Sequence, residues 1–514
     1  MPAFADSPRR IEGRRWPIPR MHAVPRQLAI AWAVVVALVL FRSALMVFRR
    51  QLAFDSDQAV TGLMAKHLIE GRAFPLFMYG QNSLLAVEAW MAAPMFLLFG
   101  VSVAALKLPL LFINLAVGLL LVTLLHRELG VGTGLALVAS LFFVLAPPGT
   151  TAALLAASGG NVEPFLYILL LWLTRRRPVW FGLILGVGFL QREFTVYGAL
   201  AVVAIELANG AWRRRADWQR GFAALGVAAA VWLTAQFLRQ FASAAGPGTG
   251  PEALQLRMNN NVLEALQRFC FDPGAVAGGL ARLVTFHWPR LFGTARLPVA
   301  PFGLESTATQ GLAWSGLALG ALMLLCIARI AVHAQARGTW WKQYEFCGYL
   351  VLVGALSATV FAASRCGDVR VMRYDLLSLL GAVGLAAWAL GVESRTWIRR
   401  AEIALIVFWA VVSAAAHVQI WAEYTGHPYV AEKILIIRHL EARNIKYATA
   451  DYWIAYYVTF LTNERIVVAA YDFPRIATDE DQIDAHRAQA IDISRKPCGD
   501  VKPIFEGVYF CPPR

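Results

Sequence analysis

Apolar runs of roughly 20 residues, broken by short polar turns, recur through most of this 514-residue chain. A run of that length is what a helix needs to cross a bilayer. The first extends from about Gln27 to Phe48. It is long enough to span, and no small-residue cleavage site follows it, so it reads as an anchor, not a signal peptide. Further runs fall at about 104–126, 131–148, 162–174, 179–192, 194–211, 221–239, 311–332, 346–363, 374–392 and 401–420. The pattern predicts an all-α polytopic membrane domain of about 11 transmembrane helices over 27–420, behind a polar N-terminus, 1–26.

Longer segments interrupt the runs at about 49–103, 240–310 and 421–514. The first includes an amphipathic-looking apolar stretch, Ser83 to Gly100, which reads as helix lying along the membrane surface. The second is rich in Gly and Pro. The third predicts a helix from Tyr429 to Arg443, a strand from Tyr447 to Ala450, an aromatic-rich helix from Asp451 to Thr462 and a strand from Arg465 to Ala470. That is the outline of a small α/β domain. No fixed-period repeat, phosphate-binding glycine loop, zinc-ligand spacing or nucleophile elbow is present.

Composition agrees. The chain is 58% apolar and 16% charged, with a mean hydropathy of +0.54, against about 45–50% and about 25% in soluble domains. Its net charge of +14 is placed in short clusters between apolar runs and not along a basic, aromatic-studded face, which argues against nucleic acid as a partner. Arg9, Arg10, Arg14, Arg15, Arg20 and Arg26 precede the first run. Counting from there, alternate turns carry Arg127; Arg175, Arg176 and Arg177; Arg213, Arg214, Arg215 and Arg220; Arg337 and Lys342; and Arg395, Arg399 and Arg400. Basic turns face the cytoplasm, so the N-terminus is expected inside and the α/β domain outside. Trp180, Trp212, Trp218, Trp340, Trp341 and Trp397 flank the same clusters, as in an interfacial belt. Arg42 lies within the first run, near enough to its outer end to snorkel. Of six cysteines, Cys498 and Cys511 lie in the outer tail, where a disulfide and two free thiols are both open.

The outer segments hold the candidate chemistry. Asp55 and Asp57 follow the first run directly. A carboxylate at the lipid–water boundary is partly desolvated and becomes a better base; the same pair also suits the cap of a following helix. Tyr79, Gln81, Asn82 and Glu88 are polar positions on an apolar segment. Ser158, Gly159, Gly160, Asn161 and Glu163 form the next outer turn, where Glu163 also fits the dipole of its helix. Gln191, Arg192 and Glu193 cluster at another outer helix end, where Arg192 and Glu193 also suit each other as an ion pair. Arg365, Arg370 and Arg373 lie outside, against the positive-inside trend. They suit a phosphate, which guanidinium binds in bidentate fashion, or pairing with Asp368, Asp375 or lipid headgroups.

Together these residues resemble the membrane-embedded GT-C glycosyltransferases, and within them the bacterial protein-mannosyltransferase and aminoarabinose-transferase-like group. The resemblance is carried by Phe54-Asp55-Ser56-Asp57-Gln58-Ala59-Val60, His67-Leu68-Ile69-Glu70-Gly71, Tyr79-Gly80-Gln81, Leu85-Ala86-Val87-Glu88-Ala89-Trp90 and Pro94 to Gly100. Arg192-Glu193-Phe194-Thr195, Arg373-Tyr374, Ala450-Asp451-Tyr452-Trp453 and Leu461-Thr462-Asn463-Glu464-Arg465 add to it.

The resemblance implies an enzyme of the bacterial cytoplasmic membrane. Such an enzyme moves a sugar from a polyprenyl-phosphate donor to an acceptor hydroxyl on a glycan, lipid or protein at the outer face, usually with inversion. Asp57 falls at the place of the group's proposed base. Gln58 stands where a second acid is usual, so Asp55 is the other candidate, and a divalent metal is left open. Arg373 and Tyr374 match a late motif that here continues into Asp375-Leu376-Leu377-Ser378 in place of Leu-Leu-Pro. Tyr79, Gln81, Glu88, Asn161, Glu163, Arg192 and Glu193 are expected to bind substrate. The rival class is a transporter or lipid flippase, which concentrates ionisable residues at mid-membrane; here they gather at outer helix ends.

Overall fold

The computed structural model describes residues 25–49, 52–81, 84–239, 241–242, 273–294, 313–336, 340–363, 372–426, 430–505 and 507–513. The basic N-terminus, Asn82, Arg365, Asp368, Arg370 and most of the 240–310 segment lie outside these residues.

In chain order the first helices are α1 (Arg26–Phe48), α2 (Ser56–Ile69), α3 (Val87–Phe99), α4 (Val103–Leu129), α5 (Thr133–Val144), α6 (Pro148–Leu154), α7 (Glu163–Thr174), α8 (Pro178–Gln191), α9 (Thr195–Ala208) and α10 (Arg215–Leu238). Then come α11 (Pro273–Arg282), α12 (Ala313–Ala336), α13 (Glu345–Ala363), α14 (Ser378–Val392) and α15 (Thr396–Gly426). The tail holds α16 (Glu432–Ala442), β1 (Tyr447–Ala450), α17 (Tyr452–Leu461), β2 (Val467–Ala470), α18 (Ala477–Ala485), β3 (Ile491–Ser494) and β4 (Tyr509–Cys511). A helix thus occupies each position expected of a span.

Among the described residues, five helices are long and apolar enough to cross a membrane: α1, α4, α10, Lys342–Ala363 and α15. A bent pair, α5 with α6, adds a sixth if counted as one span. Shorter apolar helices, α3, α7, α8, α9, α14 and the middle of α12, complete the set.

Two features depart from the hydropathy reading. The run expected at 131–148 breaks by 81° between α5 and α6. Pro147 and Pro148 supply no backbone N–H to continue α5, and Pro148 opens α6 at a position where no donor is needed. Arg42 does not snorkel. It is fully buried and donates to Thr151 Oγ1 at 3.1 Å and Asn114 Oδ1 at 2.7 Å. These neutral partners on α6 and α4 take its two terminal nitrogens inside the bundle, so it ties three helices together.

The tail is an α/β unit, with one four-stranded sheet in the order β2-β1-β3-β4. β1 pairs in parallel with β2 and β3, and β4 is antiparallel to β3. Cys498 and Cys511 form a disulfide that ties β4 to the preceding turn. The unit shares its core with the bundle: Val35, Leu121, Phe142 and Leu350 belong to the same apolar cluster as Ile454, Val458 and Val468. The contact is closest between α2 and α17, where a Cβ on Gly62 would stand 2.4 Å from the ring of Phe460.

Candidate active site

The chain leaving α1 is caught by a lysine from α4. Lys107 donates to the carbonyls of Ala53 (2.6 Å), Met46 (3.2 Å) and Leu52 (3.4 Å). Asp55 then caps α2, accepting from the backbone N–H of Gln58 at 3.1 Å and from its side-chain amide at 3.3 Å. This is the capping role the sequence left open. Burial, and next the charge of Asp57, lift the Asp55 carboxyl above its ordinary range. With the start of α2 fixed, Asp57 is held in its first turn, half-buried.

Asp57 joins the two ends of the chain. Its Oδ2 lies 3.3 Å from a guanidinium nitrogen of Arg373, which sits on a 3-10 turn, Met372–Tyr374, ahead of α14. Its Oδ1 accepts from the hydroxyl of Tyr452 at 2.6 Å. Arg373 also donates to the carbonyl of Ser158 at 3.3 Å. Tyr452 opens α17, whose N-terminus is pinned from both sides. Ser56 Oγ donates to the Trp453 carbonyl at 2.8 Å, and the Tyr452 N–H donates to Asp472 Oδ1 at 2.8 Å.

A second guanidinium approaches the same place. Arg192 is only 6% exposed and lies within electrostatic reach of Arg373, Tyr374, Glu193 and Glu88. Its Nε and one terminal nitrogen have no hydrogen-bond partner among the described residues. Tyr374 packs edge-on against Phe194, with ring centroids 5.8 Å apart. Glu193 is exposed.

The other expected residues fall into two groups. Glu88 is buried and accepts the backbone N–H groups of Gly159 and Gly160, each at 2.7 Å. Both glycines have positive φ, +89° and +91°, a conformation that turns successive N–H groups to one side and that side chains disfavour. Glu163 is buried, and neither of its carboxylate oxygens has a hydrogen-bond partner among the described residues. Asn161 donates to the Ala153 carbonyl at 2.8 Å. Glu88 and Asn161 build the turn that carries Ser158 toward Arg373.

Tyr79 belongs elsewhere. Its hydroxyl bonds His67 Nδ1 at 3.0 Å, and Nε2 of that ring donates to Glu464 of the tail at 3.0 Å. Glu464 also takes Lys66 and Arg72. Gln81 is half-buried beside Gly80, whose carbonyl accepts from Arg475 at 2.9 Å. Tyr79, His67 and Glu464 thus form a clasp between the first outer segment and the tail. Burial would raise the Glu464 carboxyl, but hydrogen bonds from His67, Arg72 and Lys66 outweigh it and hold that group far below its ordinary range.

Asp57 is met by a guanidinium and a phenol, and Asp55 caps α2 through Oδ1. No group of three or more His, Cys, Asp or Glu assembles among the described residues. Residue chemistry alone gave no role to Tyr452, Ser158 or Glu464. Tyr452 and Glu464 both stood within stretches that carry the resemblance, which was the available signal.

No family model matches the chain, and no curated protein does. Among the solved structures similar to it are two membrane glycosyltransferases of the GT-C fold. One is the apo oligosaccharyltransferase of Archaeoglobus fulgidus, at 13% identity and a TM-score of 0.49, covering 91% of this chain and 69% of that one. Another is ArnT from Cupriavidus metallidurans. Its apo form matches at 12% identity and a TM-score of 0.40, covering 90% of this chain and 93% of that one. Its form bound to undecaprenyl phosphate matches at 13% identity and 0.38, covering 90% and 92%.

Proposed function

We propose that the chain is a glycosyltransferase of the bacterial cytoplasmic membrane, with its N-terminus inside and its α/β domain outside. It moves a sugar from a polyprenyl-phosphate donor to an acceptor hydroxyl at the outer face. The observation that carries this reading is the meeting of Asp57 with Arg373, 316 residues apart in sequence, beside the under-partnered guanidinium of Arg192. A carboxylate able to take a proton thus adjoins one guanidinium, with a second within electrostatic reach of the first, and guanidinium groups can hold a phosphate.

In the reaction, the acceptor oxygen attacks the anomeric carbon while its proton passes to Asp57. The bond from that carbon to the phosphate oxygen breaks, and the electron pair leaves on the polyprenyl phosphate. Arg373 and Arg192 stabilise the charge that develops there. Attack opposite the leaving group inverts the anomeric centre. A donor that arrives through the bilayer needs no nucleotide-binding domain, which fits a chain whose outer unit is a small sheet with few helices.

The test is transfer of labelled sugar from a polyprenyl-phosphate donor by purified protein. Asp57→Asn is expected to reduce turnover about 10²- to 10⁴-fold, the usual share of a general base, with folding intact. Undiminished transfer by that variant removes Asp57 from the mechanism.

A further inference from the structure

The tail presents three large aromatic side chains to solvent close to the proposed base. Trp453 is 51% exposed, Phe473 45% and Tyr471 43%. Tyr452 connects two of them, Trp453 and Phe473, to Asp57. Its hydroxyl bonds that carboxylate, while its ring meets Trp453 edge-on at 5.2 Å and Phe473 edge-on at 5.9 Å. Polar groups rim the aromatics. Asp451 and Asp472 flank the start of α17, and the Arg475 guanidinium lies over Phe473 at 4.4 Å.

Exposed indole and phenyl rings offer flat apolar area at low entropic cost. Carboxylates and a guanidinium beside them accept from and donate to hydroxyl groups. A pyranose is the complement of this surface: one face of C–H groups and an edge of hydroxyls, one of which must reach Asp57. A lipid surface matches the rings but not the carboxylates, and an extended peptide finds no free strand edge at Trp453, which lies on a helix.

We infer that the face formed by Trp453, Phe473, Asp451, Asp472 and Arg475 binds a carbohydrate acceptor and directs one of its hydroxyls to Asp57. This rests on the glycosyltransferase reading and narrows its acceptor from glycan, lipid or protein to a glycan.

Full-length protein in nanodiscs, probed by saturation-transfer NMR with chitotetraose, mannotetraose and maltotetraose, tests it. At least one oligosaccharide is expected to receive saturation. Trp453→Ala weakens that binding about tenfold or more, as loss of a Trp anchor does, and Trp453→Phe restores part of it. The variant leaves the Ser56 bond in place, because that bond is to the Trp453 backbone. Asp57→Asn is expected to keep binding while losing transfer. Saturation of none of the three sugars, or saturation indifferent to Trp453→Ala, overturns the acceptor face. Sugar binding that depends on Trp453, with donor consumption indifferent to Asp57→Asn, overturns the transferase reading and leaves the face standing.

Discussion

Replacing Tyr452 with Phe removes one hydroxyl and leaves the ring, so it isolates a single bond. That hydroxyl donates to Asp57 Oδ1 at 2.6 Å. A hydrogen bond to a charged group is worth about 1.5–3 kcal/mol. The Asp57 side chain is 25% exposed, so water replaces part of the loss and the lower end applies. About 1.5 kcal/mol is roughly tenfold in rate, since 1.4 kcal/mol is a factor of ten. We expect kcat for sugar transfer to fall about tenfold, with the donor KM little changed because Arg373 and Arg192 are untouched. The ring still packs on Trp453, Tyr456 and Phe473, so thermal stability should hold. A double-mutant cycle supplies the control: in an Asp57→Asn background, Tyr452→Phe should have little further effect. An unchanged or faster rate in the single variant, or an equal loss in both backgrounds, refutes the view that Tyr452 positions Asp57.

Three further outcomes follow from the same contacts. Arg373→Lys keeps the charge but loses the fork that reaches both Asp57 and the Ser158 carbonyl; donor KM should rise about tenfold, measured by initial rates against donor concentration. Glu464→Gln removes the charge that holds Lys66, His67 and Arg72; hydrogen exchange in α2 and at the end of α17 should quicken. Because the folded-state Glu464 carboxyl is depressed, its contribution is full above the unfolded value of about 4.3 and fades as pH falls, so the variant should be less stable than the wild type above that pH, with the gap closing in acid. Asp479 shows the opposite sign. Burial, with the Glu464 charge adding to it, pushes its carboxyl up to about 8, so the folded tail holds a proton that the unfolded chain gives up, and stability declines as pH rises from about 4 toward 8. Asp479→Asn should flatten that slope in thermal unfolding measured across pH.

Hydropathy made the bundle legible, because each helix that meets lipid needs a long apolar run whatever it packs against. The break at Pro147 and Pro148 was visible as residues but not as geometry, since two prolines permit either a kink or a separate helix. Arg42 was read as a snorkelling cation within the first run because its partners, Asn114 and Thr151, are neutral and distant in sequence. In the tail, α16, β1, α17 and β2 follow local periodicity. By contrast α18 carries Asp479, Glu480, Asp481 and Asp484, a composition that reads as loop until the sheet covers one side of it. The first outer segment announced Asp55 and Asp57, yet nothing local distinguished the capping residue from the one that faces Arg373. That difference depends on which way the first turn of α2 points, which Lys107, Ser56 and Tyr452 decide from three other parts of the fold.

The Asp57 contacts also bear on how the protein is made. Synthesis delivers Asp57 first, Arg373 316 residues later, and Tyr452 only when the sheet begins to form. A nascent chain can therefore lodge its first helices in the bilayer while the Asp57 carboxylate still has neither neighbour. On the proposed mechanism, chemistry waits for the α/β unit to dock. A ribosome stalled short of residue 452 would leave that carboxylate inserted without its phenol partner.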